Sequence, residues 1–273
     1  LRDRYMENPE KAEVVNDIRD IKNDVNKQND QRFETYLDEE DYPKEVLSET
    51  TPLHWAFDFW YIYLNEDLEL RDNPGFDVVV GNPPYERIQN MRDTKPNYVE
   101  YLNKREGFTT TFGSYDIAIP FIEQGYHLLS KQGNFGYIVT KKWMTSEYGE
   151  KLREFLADED ALVELIDFGS EQVFDDPSTY TAILSLRKES QETFRYAQIT
   201  NLRENSDQLQ QIRQCNEQTV TSDYHVTIED SADLDEGYWA FGTADEEKIL
   251  DKLEGYETLE DISKNIFVGL QTS

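Results

Sequence analysis

Asn82-Pro83-Pro84-Tyr85 is the stretch of this 273-residue chain whose residue types are best suited to chemistry. Asn82 offers a side-chain carbonyl and Pro83 a peptide carbonyl, so two hydrogen-bond acceptors stand side by side. The prolines fix φ and bring no N–H of their own, so the loop presents those acceptors with little conformational freedom. Tyr85 adds a flat face on which a planar ring can stack. The same four letters also occur in ordinary turns, and it is the context that makes them specific. Phe76-Asp77-Val78-Val79-Val80-Gly81, bounded in front by Gly75, reads as a buried parallel strand ending in this stiff loop. Ligands of open α/β sheets bind at such strand ends.

In that setting Asn-Pro-Pro-Tyr resembles the catalytic loop of the amino-methylating DNA methyltransferases, chiefly those acting on the exocyclic N6 of adenine. A His-Trp-aromatic segment shortly before the motif, here His54-Trp55-Ala56-Phe57, extends the likeness to the Eco57I-like Type IIG restriction-modification and phage-defence enzymes. The resemblance implies an α/β, Rossmann-like fold, S-adenosylmethionine as methyl donor and double-stranded DNA as partner. It implies that Asn82, Pro83, Pro84 and Tyr85 form the catalytic loop. Asn82 and Pro83 would take the hydrogens of the amine and border the donor, and Tyr85 would stack on an adenine turned out of the duplex. Tyr115, Asp116 and Phe121, in the helix after the catalytic strand, become the donor-site candidates. Phe174 matches the later aromatic that meets the flipped base.

The elements that must position these residues follow from periodicity. Val14, Ile18, Ile21 and Val25 predict an amphipathic helix over 8–30. An acidic connector over 34–49 is expected to dock through Phe33, Tyr36, Leu37, Tyr42 and Leu47. The aromatic run 54–64 reads as a strand packed beside the central one. Polar residues 86–111 carry Arg87, Arg92, Lys95, Lys104 and Arg105, placed to touch phosphates or to serve as a solvated loop and short helix. Residues 114–129 predict a helix with Ile117, Phe121, Ile122, Leu128 and Leu129 inward, then a strand over 135–140. Lys141-Lys142-Trp143-Met144 falls at its carboxyl end, where Trp143 either meets a ligand or caps the core. A helix over 147–156, a strand over 162–169, a loop running into a strand over 173–186, a strand over 194–199, and helices over 202–212 and 243–253 complete the reading.

The domain organisation expected is an acidic helical extension over 1–52, the catalytic part of a methyltransferase domain over 53–264, and the opening of a target-recognition domain over 265–273. No G-x-G follows a strand anywhere in the chain, so the glycine-rich turn of a donor site is missing. The sequence therefore reads as the later strands of the fold, with the donor-binding half to be supplied by an upstream segment and little activity expected of the chain alone. No nuclease carboxylate-and-lysine cluster is visible in the chain, and whether an upstream nuclease segment is attached is left open by these residues. The competing reading is a catalytically incomplete remnant or interaction subunit, and a third, resting on charge alone, is a binder of basic proteins.

Composition bounds the rest. Asp and Glu number 57 against 27 Lys and Arg, for a net charge of -30, and they are spread along the chain rather than gathered in a tail. Aromatics at 13 % set it apart from disordered acidic proteins. A folded chain with so acidic a surface points to adaptation to high salt. Cys215 is the only cysteine and the three histidines are scattered, which gives neither an internal disulfide nor zinc-ligand spacing and suggests a reducing, cytoplasmic setting. No apolar run reaches spanning length, so no membrane partner is expected. Because self-repulsion is screened by salt, the melting temperature should rise from dilute buffer to molar salt. Equal melting temperatures under both conditions would remove the case for halophilic adaptation.

Overall fold

In the computed structural model of the chain, residues 9–53, 55–105, 107–174, 180–203 and 207–242 are described, with Lys252 and Tyr256 in addition. The predicted helix over 243–253 and the segment 262–273 lie outside them apart from Lys252. Seven strands form one mixed sheet: β1 (Phe76–Gly81), β2 (Leu129–Thr140), β3 (Leu162–Asp167), β4 (Thr181–Arg187), β5 (Thr193–Ile199), β6 (Thr219–Val220) and β7 (Tyr224–Asp230). Their order across the sheet is β1-β2-β4-β3-β5-β7-β6. β1 runs parallel to β2, with Val79 opposite Phe135 and Gly81 opposite Tyr137. β4 lies antiparallel between β2 and β3, and β5 is parallel to β3.

A parallel pair cannot be joined by a hairpin, so the chain must cross over between β1 and β2. It does so through α5 (Ile88–Met91), α6 (Pro96–Lys104) and α7 (Ala118–His127), preceded in the chain by α1 (Pro9–Glu39), α2 (Val46–Glu49), α3 (Trp55–Asp58) and α4 (Trp60–Tyr63). After β2 come two 3₁₀ turns, Lys141–Met144 and Glu147–Gly149, then α8 (Glu150–Asp158); α9 (Gln208–Gln214) follows β5. Alternation along the strands divides the core between two faces. Leu165 of β3 joins Ile119, Ile122, Phe135, Leu152 and Leu184 on one side, while Ile166 joins Ala197, Ile199, Ile212 and Val226 on the other. Gly125 lets α7 close on β2, because a Cβ there would stand 2.7 Å from the Phe135 ring.

Four expectations are corrected. β1 is an edge strand rather than a buried one, with Val78 58 % and Val80 75 % exposed, because one side of it has no neighbour among the described strands. The aromatic run before it forms the helical turns α3 and α4, and Trp55 and Phe59 pack edge-on against Phe76 with ring centroids 6.0 and 5.1 Å away. Those residues pack beside the strand as expected, but their own spacing wraps into turns rather than extending. The first helix runs on to Glu39, and Ile21 on its expected inner stripe is 63 % exposed. The helix docks instead near its end, where Leu37, Tyr42 and Val46 bury against Tyr101 of α6. The helix expected over 202–212 is confined to α9, and β7, a full strand with Val226 buried, was not anticipated at all.

Buried ionised groups fasten the connections. Arg153 of α8 is 1 % exposed and donates to the carbonyls of Trp143, Ser146 (2.9 Å) and Glu236 (2.9 Å), with the Tyr238 ring 5.2 Å from its guanidinium carbon. One side chain thereby joins the turns after β2 to the strap at 234–241, whose Trp239 packs on Trp143. Trp143 is core, not a ligand contact. Glu123 of α7 is fully buried and accepts from Thr109 N (2.7 Å), Thr109 Oγ1 (3.0 Å), Thr110 N (3.0 Å) and Thr110 Oγ1 (2.5 Å).

Burial pushes the Glu123 carboxyl up, but the donors from His127, Thr109 and Thr110 outweigh it and hold it below the ordinary glutamate range. A carboxyl lowered on folding contributes stability above its unfolded pKa and loses it as pH falls through the folded one. Glu123→Gln should therefore destabilise the chain by about 1–3 kcal/mol at neutral pH. The gap between the two melting curves should close at acid pH, below both pKa values. A gap of the same size at neutral and acid pH would show that the charge is not what holds this loop.

Candidate active site

The carboxyl end of β1 opens directly into residues 82–86, which take no regular structure. Asn82 stands exposed at the strand end, Pro83 is buried beneath it and Pro84 is exposed. Tyr85 turns back onto the sheet, where its hydroxyl donates to the carbonyl of Ile138 in β2 at 2.9 Å. That bond fixes the ring, which is half-buried and has Phe174 beside it at a centroid distance of 6.5 Å and an angle of 60°. Burial first, and the nearby Asp116 carboxylate second, push the Tyr85 phenol up to about 12. Tyr85 is therefore a neutral, hydrogen-bonded platform at physiological pH. Phe174, 36 % exposed, comes from the bend after β3, nearly ninety positions away in sequence.

Beyond Tyr85 the loop pairs briefly with the start of α7. Ile117 N donates to Glu86 O at 2.8 Å and Ile88 N to Tyr115 O at 3.0 Å, around an antiparallel bridge between Arg87 and Asp116. The three residues of the expected donor side thus receive different places. Phe121 is 41 % exposed and lines two adjoining hollows with Trp55 and Gln124, one of them about 450 Å³. Tyr115 is 1 % exposed and its hydroxyl donates to Asn103 Oδ1 at 2.8 Å, so its ring supports α7 from within and offers no surface to a ligand. Asp116 is partly buried and accepts from Ala118 N at 3.1 Å.

The carboxyl ends of the neighbouring strands bring further groups to the same edge. Lys141, just past β2, donates to both oxygens of Asp167 at the end of β3, at 2.8 and 2.9 Å. Asp167 also accepts from Gly169 N at 2.7 Å and from the Tyr196 hydroxyl at 3.4 Å. Neither Asp167 nor Tyr196 was singled out from the sequence, although the position of Asp167, last in its strand and two before a glycine, is the signal that marks it. Among the five basic residues of 86–111, Lys104 is paired with Glu100 at 2.6 Å and Arg105 lies over the Phe108 ring at 4.9 Å. Arg87, Arg92 and Lys95 are exposed on the segment that follows the motif. Among the described residues no helix is long and apolar enough to cross a membrane.

Comparison with known proteins addresses the same region. The model of the Eco57I restriction-modification methylase family matches residues 7–174, a span that holds the motif loop, α7, β2, β3 and Phe174. The Type II restriction enzyme and methyltransferase RM.Eco57I of Escherichia coli is 34 % identical over 131 residues, which is 48 % of this chain and 13 % of that protein. The Type II methyltransferase M.BstVI of Geobacillus stearothermophilus is 32 % identical over 140 residues, 50 % of this chain and 24 % of that protein. The solved type IIG restriction endonuclease BpuSI aligns with a TM-score of 0.43 and 20 % identity, covering 56 % of this chain and 19 % of its own. The chain thus spans a minor part of the length of the relatives it matches. The mixed sheet flanked by helices is the Rossmann-like methyltransferase architecture expected of the sequence. With the family match running over more than half of its length, the chain belongs to the Eco57I restriction-modification methylases.

Proposed function

We propose that this chain carries the base-binding side of a site-specific DNA adenine N6-methyltransferase that serves in a restriction-modification or phage-defence system. The observation that carries the reading is the arrangement at the end of β1: exposed Asn82 and the Pro83 carbonyl stand beside a Tyr85 ring that is fixed by Ile138 and faces Phe174. A flipped adenine stacked on Tyr85, with Phe174 at its edge, places its exocyclic amine against the acceptors of Asn82 and Pro83. Those acceptors would hold the amine hydrogens and turn its lone pair out of the ring toward the donor methyl; as the N–C bond formed, the S–CH3 bond of the sulfonium would break to leave a neutral thioether, and the methylated amine would give up one proton to solvent. No covalent bond to the protein is required.

S-adenosylmethionine supplies the activated methyl group. The chain's contribution to holding it is the exposed Phe121 ring, on the helix that starts beside the motif loop, together with the Asn82–Pro83 turn; Tyr115 supports that helix from inside the core. A second reading follows from the edge of β1. Val78 and Val80 are exposed there, next to the hollow lined by Trp55, Phe59 and Phe121. An unpaired apolar edge of this kind seeks a neighbour, which supports donor binding by a segment other than these residues and little activity of the chain by itself. Exposed Arg87, Arg92 and Lys95 are the groups placed to meet DNA phosphates, in a chain whose overall charge otherwise opposes them.

The test is single-turnover methylation of DNA by the protein as its gene encodes it, beside a DNA-binding isotherm for each variant. Asn82→Ala should lower the rate roughly a hundredfold or more, because one acceptor is lost at the transition state, with folding unchanged since the side chain is exposed. Tyr85→Ala should lose stacking worth about 1–3 kcal/mol. Tyr85→Phe keeps the ring face and gives up only the bond to Ile138, at a cost of about 1 kcal/mol. Near-normal methylation by Asn82→Ala would overturn this loop as the transfer site.

A further inference from the structure

Tyr85 and Phe174 stand side by side, yet each rests on a different strand. Tyr85 is held by the carbonyl of Ile138, near the end of β2 and just before Lys141. Phe174 belongs to the bend that leaves β3 after Asp167. β2 and β3 are not neighbours, because β4 lies between them. Backbone pairing with β4 reaches as far as Lys141 and Phe168, whose N–H groups donate to Tyr180 O at 3.0 Å and Thr181 O at 3.2 Å. Side chains carry the connection past that point. Lys141 Nζ reaches across the start of β4 and donates to Asp167 Oδ1 at 2.8 Å and Oδ2 at 2.9 Å. Asp167 Oδ1 also accepts from Gly169 N at 2.7 Å, so the carboxylate that holds the lysine also shapes the bend leading to Phe174. Gly169 takes a left-handed φ of 58°, and Glu171 N closes the turn on Phe168 O at 2.8 Å. The Tyr196 hydroxyl on Asp167 Oδ2, at 3.4 Å, and Leu202 N on the Glu171 carboxylate, at 3.1 Å, tie the bend to β5 and the residues after it. Lys141 ties it to β2, the strand on which Tyr85 leans.

We infer that Lys141 and Asp167 are positioning residues for methyl transfer, a pair that joins the end of β2 to the bend after β3 and so sets Phe174 against Tyr85. This rests on the reading of the motif loop as the transfer site. The two rings stand 6.5 Å apart at 60°, and they come from parts of the chain that meet at this edge of the sheet. A base held by both rings is turned by a small shift of either one, and in-line transfer tolerates little misplacement of the attacking amine. The Asp167 side chain is 6 % exposed, so its charge must be met from within the fold. Lys141, 27 % exposed, gives one hydrogen bond to each of its oxygens, with the Tyr180 ring 6.0 Å from the ammonium. The ammonium is thereby committed to a partner inside the protein rather than offered to a phosphate.

The test compares Lys141→Met, which keeps an unbranched stem without the charge, with Asp167→Asn and with Lys141→Arg, which restores a two-pronged donor. All are made in the protein as its gene encodes it and assayed well below the melting temperature of each variant. Lys141→Met and Asp167→Asn should each lower the maximal single-turnover rate at least tenfold, without moving the donor concentration that gives half of it. Lys141→Arg should recover most of that rate. The double variant Lys141→Met/Asp167→Asn should be no slower than the slower single one, because both changes break the same contact. DNA affinity and its salt dependence should stay as in the parent. An unchanged maximal rate in Lys141→Met or in Asp167→Asn overturns the inference, provided that Asn82→Ala abolishes transfer in the same assay; Asp167→Asn decides alone if Lys141→Met does not fold. Losses that multiply in the double variant overturn it too. A loss confined to DNA affinity, with a shallower salt dependence, makes Lys141 a phosphate contact and overturns it as well. If Asn82→Ala transfers normally, the transfer site has been misread and the inference falls with that reading.

Discussion

The parallel pairing of β1 with β2 is the constraint on which the rest of the structure depends. Two parallel neighbours cannot be linked directly, so the chain leaves the sheet after Gly81 and returns only at Leu129. The surroundings of the motif loop are built on that excursion. It carries α7 back across the sheet, brings residues 115–117 just before α7 into backbone pairing with residues 86–88, and leaves Phe121 exposed in the hollow beside β1. Gly125 sets how closely the returning helix approaches β2, and Pro83, buried under Asn82, sets the direction in which the loop departs.

Ionised groups whose partners come from distant parts of the chain fasten the strands and connections, Asp167 at the carboxyl end of β3 and Glu164 nearer its amino end. Asp167 is met by Lys141, Glu164 by Arg195 at 2.9 Å and Arg213 at 3.3 Å, and Arg153 by three carbonyls from two connections. Burying such charges is costly, and each is tolerated because its hydrogen-bonding capacity is met in full geometry rather than by a single contact. The effect is rigidity where the loops would otherwise be free. The turns after β2 and the strap at 234–241 are tied together by Arg153, and the turn after β3 is tied to the strand end by Asp167. In a chain with a net charge of -30, Lys141, Arg153 and Arg195 are the cations set against buried partners, while others, among them Lys22, Lys104 and Arg203, pair at the surface.

The lateral edge at β1 is apolar. β1 shows two exposed valines and adjoins a surface of Trp55, Phe59 and Phe121, while the other lateral edge ends in the two-residue β6, where Val220 is 66 % exposed. Natural sheets blunt free edges with charge, bulges or covering elements. Here the apolar edge lies next to the motif loop itself, so whatever covers it also bounds the site. The family relatives, several times longer than the region they share with this chain, have sequence to do so.

The motif loop, the strand before it, α7, β2 to β5 and the aromatic partner Phe174 were legible from the sequence because each is a local pattern. Proline stiffness, the apolar run of β1 and the helical spacing of Ile117 and Ile122 act through neighbours in the chain, whereas Phe121, expected on the inner stripe, is 41 % exposed. What they do not carry is who lies alongside. The position of β1 at an edge, the wrapping of Trp55 and Phe59 into turns, the existence of β7 and the burial of Tyr115 and Trp143 depend on contacts between residues far apart in sequence. A valine run reads the same at an edge as at a centre, since its pattern records side-chain type and not the strand beyond it. The network of Lys141, Asp167 and Arg153 was invisible for the same reason: a buried charge declares itself only when the partner that compensates it has been folded against it. The sequence by itself determined which groups stand at the end of β1; tertiary structure decided what holds them in place, because hydrogen-bond partners are chosen by distance in space and not along the chain.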